Sequence, residues 1–123
     1  MKLTLIGDPR TKKNSQRLIT VNGRHIPLTS KAYAEYREGC LKQITGTRRL
    51  LNINFPVNVK VLYYMRTRRK VDLLNLLEAT CDILVDAGVL EDDNSRIVAG
   101  HDGSRVLYDK DNPRAEIEIT VID

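Results

Sequence analysis

The chain has 123 residues, 41% hydrophobic and 29% charged, with a formal net charge of +4. That is the composition of a soluble globular protein, and the length suits one domain that buries an ordinary core without covalent staples. It argues against a membrane chain: the apolar run opening MKLTLIGDP is too short for a signal peptide, and no stretch approaches a membrane span.

The net charge hides a division. Residues 1–70 hold 16 Lys and Arg against three acids, a net of +13, while residues 71–123 hold four against 13, a net of −9. Such asymmetry fits either an interaction with nucleic acid or two solvated faces that neutralise each other in the fold. Cys40 and Cys81 lie far apart with no metal-ligand spacing, in helical-looking segments. They are expected to be buried, reduced thiols, which implies a cytoplasmic protein.

In chain order, a strand is expected over Lys2–Ile6, followed by the polar loop GDPRTKKNS. RLITV and RHIP flank Asn22-Gly23, a type I′ hairpin signal. Thr29 and Ser30 offer N-caps to a helix of about 15 residues ending near Gly46, with Tyr33, Tyr36, Cys40 and Ile44 as its core stripe. Val57, Val59, Val61, Tyr63 and Met65 alternate with Asn58, Lys60, Leu62, Tyr64 and Arg66, a strand that runs into the basic block RTRRK. A second helix begins at Asp72 and stops before Gly88. Strands follow near Arg96–His101, Ser104–Tyr108 and Arg114–Ile122, the last with one wet face. The order ββαβαβββ implies a single α+β domain over 1–123, a mixed β-sheet with two helices packed on it.

Projected at about 100° per residue, the second helix turns Leu73, Leu76, Leu77, Thr80, Cys81 and Leu84 to the core. Asp72, Asn75, Asp82 and Asp86 gather on the other side, with Glu78 at the edge. Asp72 alone would be an ordinary N-cap. The LEDDN loop then returns Asp92 and Asp93 just beyond the helix, and crowded carboxylates need a cationic partner. Mg²⁺ meets that need with one or two carboxylates, water and phosphate oxygens. A carboxylate–Mg²⁺ centre beside a basic strip suits phosphodiester hydrolysis: the ion activates water, and Lys and Arg bind the backbone whatever its sequence. The cations placed for that are Arg66, Arg68, Arg69 and Lys70, with Lys12 and Lys13 in the N-terminal loop. His25 and His101 share no ligand spacing and read as strand-surface residues.

These residues resemble the RusA family of Holliday junction resolvases, a cellular and phage group. The shared features are the basic run, Asp72, Asn75-Leu76, the helix through Asp82-Ile83-Leu84 to Ala87-Gly88, and the Asp92-Asp93 pair. The PRTKKN loop, the Asn-Gly hairpin, the Lys-Ala-Tyr helix start and the alternating last strand extend the likeness over nearly the whole chain. It implies a homodimer that nicks four-way DNA junctions symmetrically with Mg²⁺, for which Mn²⁺ would substitute, in a bacterial cell or for a phage. Asp72 and Asp93 match the family's catalytic aspartates, Asp92 is a further ligand or orients the loop, and Asn75 supports the site.

Two departures stand out. The best-known members read Asp-x-Asp-Asn-Leu-x-Lys, where this chain has Asp72-Leu73-Leu74-Asn75-Leu76-Leu77-Glu78. Leu74 cannot bind metal, while Glu78 restores a carboxylate about 9 Å further along the helix than Asp72 and is read as a replacement ligand. Lys70 or Arg69 is expected to stand in for the missing lysine. The competing readings are a non-catalytic dimer that binds branched DNA and a flap or fork endonuclease.

Overall fold

The computed structural model describes residues 1–12, 16–29 and 31–123, and of residues 16–21 and 25–29 the backbone alone. Seven strands and two helices follow in the order β1 (Lys2–Ile6), β2 (Gln16–Val21), β3 (Arg24–Thr29), α1 (Lys31–Gln43), β4 (Val57–Met65), α2 (Leu73–Asp86), β5 (Val98–Gly100), β6 (Arg105–Tyr108) and β7 (Arg114–Val121). Three strands thus precede α1, one more than the expected order counts. A 3₁₀ segment, Gly46–Leu50, continues the chain after α1; with no buried residue of its own, it carries no apolar pattern by which sequence could announce it.

The main sheet is mixed and runs β1-β7-β4-β5, with β6 also on β4. β7 pairs antiparallel with β1 and β4, whereas β5 and β6 lie parallel to β4 on its other edge. β4 alternates as expected: Val57, Val59, Val61, Tyr63 and Met65 are buried and the residues between them half-buried. Ala115, Ile117 and Ile119 of β7 and Leu3 and Leu5 of β1 complete the inner face. On the opposite face Lys2 and Lys60 stand on either side of Glu118 in register, so that face of the sheet carries charges of both signs. β2 and β3 form a separate hairpin whose turn residues Asn22 and Gly23 have φ of 51° and 77°, the type I′ signature.

Both helices cover the inner face. Cys40 and Ile44 from the α1 segment join Leu76, Leu77, Ile83 and Leu84 of α2 in one core with the strands, and Cys81 is buried as well. Tyr63 bonds Thr80 Oγ1 at 2.6 Å, and Thr80 donates to Leu76 O at 2.9 Å, so the two buried hydroxyls satisfy each other and the helix. Among the described residues, no helix is long and apolar enough to cross a membrane.

α2 returns the chain over the core from the end of β4 towards its start. Gly88 ends it at φ 82°, and a Cβ there would lie 2.3 Å from Arg49 O. The next residues run alongside Asn52 and Ile53: Asn52 N donates to Gly88 O, Ile53 N to Val89 O and Glu91 N to Ile53 O, at 2.9–3.0 Å. That short ladder fixes where the acidic loop leaves the core.

Candidate active site

Asp72 is the N-cap of α2, its Oδ1 accepting from Leu74 N at 2.9 Å and Asn75 N at 3.4 Å. An extended backbone at Asp72 (ψ 119°) and a side chain short enough to turn back onto the first free N–H groups explain why the helix starts here. Leu74, two residues on, is 72% exposed, so the position that carries a second aspartate in the familiar pattern presents a bare apolar side chain to solvent. Asn75 is half-buried and Glu78 exposed.

A gathering of carboxylates lies towards the other end of α2. Asp82 and Asp86, one turn apart, line a pocket with Asp92 and Asp93 of the acidic loop, Val85, and Lys12 from the loop after β1. Lys12 Nζ donates to Asp82 Oδ2; the side chains are 37% and 30% exposed. That bond, helped by Asp82's charge and by Glu78, raises the Lys12 ammonium above its ordinary value. Asp86 is held from α1 by Arg37 Nη2 at 2.7 Å.

In the loop, Asp92 Oδ1 accepts from Asp93 N at 2.7 Å and Oδ2 from Asn94 Nδ2 at 3.1 Å. The bond from the Asp93 N–H, then that from Asn94, hold Asp92 below the usual carboxylate range. Asp93 is pushed the other way, first by partial burial and then by the charge of Asp82 and its contact with Asp92. Two adjacent aspartates are thereby separated in character: Asp92 shapes the loop, and Asp93 is a carboxyl whose ionised form burial and the nearby charge of Asp82 disfavour. Asp72 does not line this pocket; it lies ten residues from Asp82, about 15 Å along the helix.

The pocket lining supplies hard oxygen donors and no histidine or cysteine among the described residues, a set that suits Mg²⁺ or Mn²⁺ and not a softer metal. Among the described residues, no three His, Cys, Asp or Glu side chains form a ready-made metal cage. Mg²⁺ does not ask for one, since it keeps several waters and binds through one or two carboxylates plus substrate phosphate. The charge crowding on Asp93 is what such an ion would relieve, so the residues present fit it.

The basic block divides by use. Asp8, only 10% exposed, accepts from Arg69 Nη1 at 3.1 Å and pairs with Arg10 at 3.4 Å. Its other oxygen takes Arg66 N at 2.9 Å, and Arg69 Nη2 reaches Pro9 O at 3.1 Å. Arg69 is therefore engaged in anchoring the loop after β1. Arg68 lies over the Tyr108 ring, 4.2 Å from its centroid. The side chains of Arg66 and Lys70 are exposed. From Asp8 the loop reaches Lys12 in four residues, so it ties the basic strip to the acidic pocket over at most about 14 Å of chain. Lys13 and Ser30 lie outside the described residues, as does the side chain of His25. His101 gives Nδ1 to a bond with Val59 O at 2.8 Å and takes no part in the pocket.

A family model described as Endodeoxyribonuclease RusA matches residues 7–120. The chain belongs to the RusA family. The match takes in the Asp8–Lys12 loop, the basic strip, α2 and the acidic loop together, and its description makes this RusA-family chain an endodeoxyribonuclease. No curated protein matches the chain.

Asp82 and Asp86 are within reach of sequence reasoning, since both share the polar face of α2 with Asp72. Asp82 does not stand out there because its partners, Lys12 and Asp93, come from segments on either side of it in the chain, and helical projection shows a face without what packs near it.

Proposed function

We propose that this RusA-family protein is a Mg²⁺-dependent endonuclease that resolves four-way DNA junctions by paired symmetric nicks, working as a homodimer in DNA recombination, repair or phage DNA processing. The observation that carries the reading is the junction of two surfaces. An oxygen-rich pocket at Asp82, Asp92 and Asp93 is joined, through the Asp8–Lys12 loop, to the exposed cations that follow β4.

The protein's own contribution is positioning and charge. Arg66 and Lys70, with Arg68 braced on Tyr108, hold the phosphate backbone without reading bases. Asp93, whose ionised form burial and the charge of Asp82 disfavour until a cation arrives, would hold the divalent ion with Asp82. Glu78 on the same helix and Asp92 in the loop would orient its water shell, and Asp72, at the N-terminal end of that helix, would position the approaching backbone. When bound, the ion supplies an activated water and charge for the departing oxygen. Two-fold symmetry follows from the substrate: a four-way junction needs two opposed cuts, and a symmetric dimer presents each surface twice.

The test is cutting of a synthetic four-way junction with and without Mg²⁺ or Mn²⁺. Asp93→Asn and Asp72→Asn should each abolish cutting while junction binding persists, and Glu78→Gln should slow it and weaken its metal dependence. Mixed dimers with one Asp72→Asn subunit should nick one strand only. Exposed Leu74, where the familiar pattern has a carboxylate, favours one rival, a non-catalytic binder of branched DNA. Tight junction binding with no metal-dependent nick would establish that rival.

A further inference from the structure

α2 contains no lysine or arginine from Leu73 to Asp86, and position 78, lysine in the familiar pattern, is Glu78. The polar face of the helix therefore takes its cations from other segments. Arg37 arrives from α1 and engages Asp86. Among the described residues, Lys12 is the one cation lining the pocket, and it takes Asp82. Its reach is set by a fixed base, because Pro9 and Thr11 just before it are buried and Asp8 is clamped by Arg69 and Arg66 N.

We propose that Lys12 is a built-in counter-ion of the acidic pocket, one that a divalent cation must displace from Asp82 in order to bind. This rests on the metal-dependent reading above. An ammonium and a metal ion competing for one carboxylate repel each other strongly at a few ångströms, so one leaves when the other arrives. The long, flexible lysine stem lets the ammonium leave while the loop stays anchored. Lys12 thus lowers the resting affinity of the pocket for metal and spares its aspartates an uncompensated state when metal is absent.

The experiment measures Mn²⁺ binding to the whole protein without DNA, by calorimetry or by the paramagnetic signal of free Mn²⁺. Lys12→Met removes the competitor, and Lys12→Gln repeats the removal with a polar side chain. Both should bind Mn²⁺ on the order of threefold to fivefold more tightly than the parent, the scale of a partly exposed ion pair. Lys42→Met is the charge-matched control: Lys42 pairs with Glu38 on the exposed face of α1 at 3.3 Å, and its loss should leave Mn²⁺ affinity unchanged. Equal or weaker binding by both Lys12 variants overturns the proposal and leaves the nuclease reading standing. Equal tightening by Lys42→Met overturns it too, since net charge alone would then account for the change. If the parent and both Lys12 variants bind no Mn²⁺, the counter-ion proposal falls, since removing the lysine then opens nothing, while metal-dependent cutting of the junction decides the nuclease reading separately.

Discussion

Gly88→Ala tests how firmly the fold sets the acidic loop. Gly88 and Gly46 both occupy the left-handed region, at φ 82° and 66°, but a Cβ at Gly46 meets nothing within 4 Å while one at Gly88 lies 2.3 Å from Arg49 O. For Gly46→Ala, left-handed strain of about 1–2 kcal/mol is partly offset by about 0.4–1 kcal/mol from the stiffer unfolded chain. A net loss of roughly 1 kcal/mol or less is expected there. Gly88→Ala adds a backbone clash that Arg49 cannot easily relieve, because its Nε is tied to Ile44 O at 2.7 Å and its Nη2 to Leu41 O at 2.5 Å. Shifts forced by overpacking cost about 1–3 kcal/mol, giving a total of roughly 1–4 kcal/mol. Urea unfolding of both variants, followed by circular dichroism, measures the difference directly. The same shift would pull Gly88 O from Asn52 N and move Asp92 and Asp93, so junction cutting should fall more in Gly88→Ala than in Gly46→Ala. Equal urea midpoints for the two variants would refute the reasoning, since the close approach to Arg49 would then carry no cost.

Two other outcomes follow from the charges. Asp93 is raised in the folded chain by burial and by Asp82; a carboxyl so raised stabilises the fold when protonated, and that contribution is lost as pH rises through its folded value. At neutral pH the ionised form therefore weighs against folding, and Asp93→Asn should raise the urea midpoint at pH 7 slightly while ending cutting; a lower midpoint would show that Asp93 supports the fold. Replacing Arg66 and Lys70 together by Gln should weaken junction binding alike for all sequences and lower the slope of log affinity against log salt by about 1.8, or 0.9 for each phosphate no longer neutralised. Weakening confined to one sequence would mean base readout instead.

What sequence disclosed, and what it did not, follows the range of the interactions. The β4 and β7 alternation, the Asn22-Gly23 turn and the apolar stripe of α2 are local patterns whose period survives folding, and each matches the structure except at Val121, where β7 ends exposed. Asp72 as N-cap and Asp92-Asp93 as a paired loop were legible for the same reason. β5 proved shorter than the Arg96–His101 stretch because Ile97 N and Val98 N turn back to Asn94 O at 3.0 and 2.8 Å. The features left unseen span long separations: Lys12 meets Asp82 across 70 positions and Arg69 meets Asp8 across 61. Neither pairing has a periodicity, and a lysine in a polar loop looks the same whether it faces solvent, a phosphate or a carboxylate. The halves of opposite charge were visible, but not that the folded chain uses some of each to hold the other.

The two cysteines bear on how the protein can be studied. Burial pushes Cys40 to about 11 and Cys81 to about 12, so at neutral pH on the order of one molecule in ten thousand, or fewer, carries a reactive thiolate at either position. Maleimide dyes and spin labels should therefore pass over the native thiols and modify a cysteine placed on the surface, for example at exposed Arg105. Distances between labelled copies, or from one copy to the arm of a branched DNA, can then be followed in solution without first stripping the chain of its own sulfur.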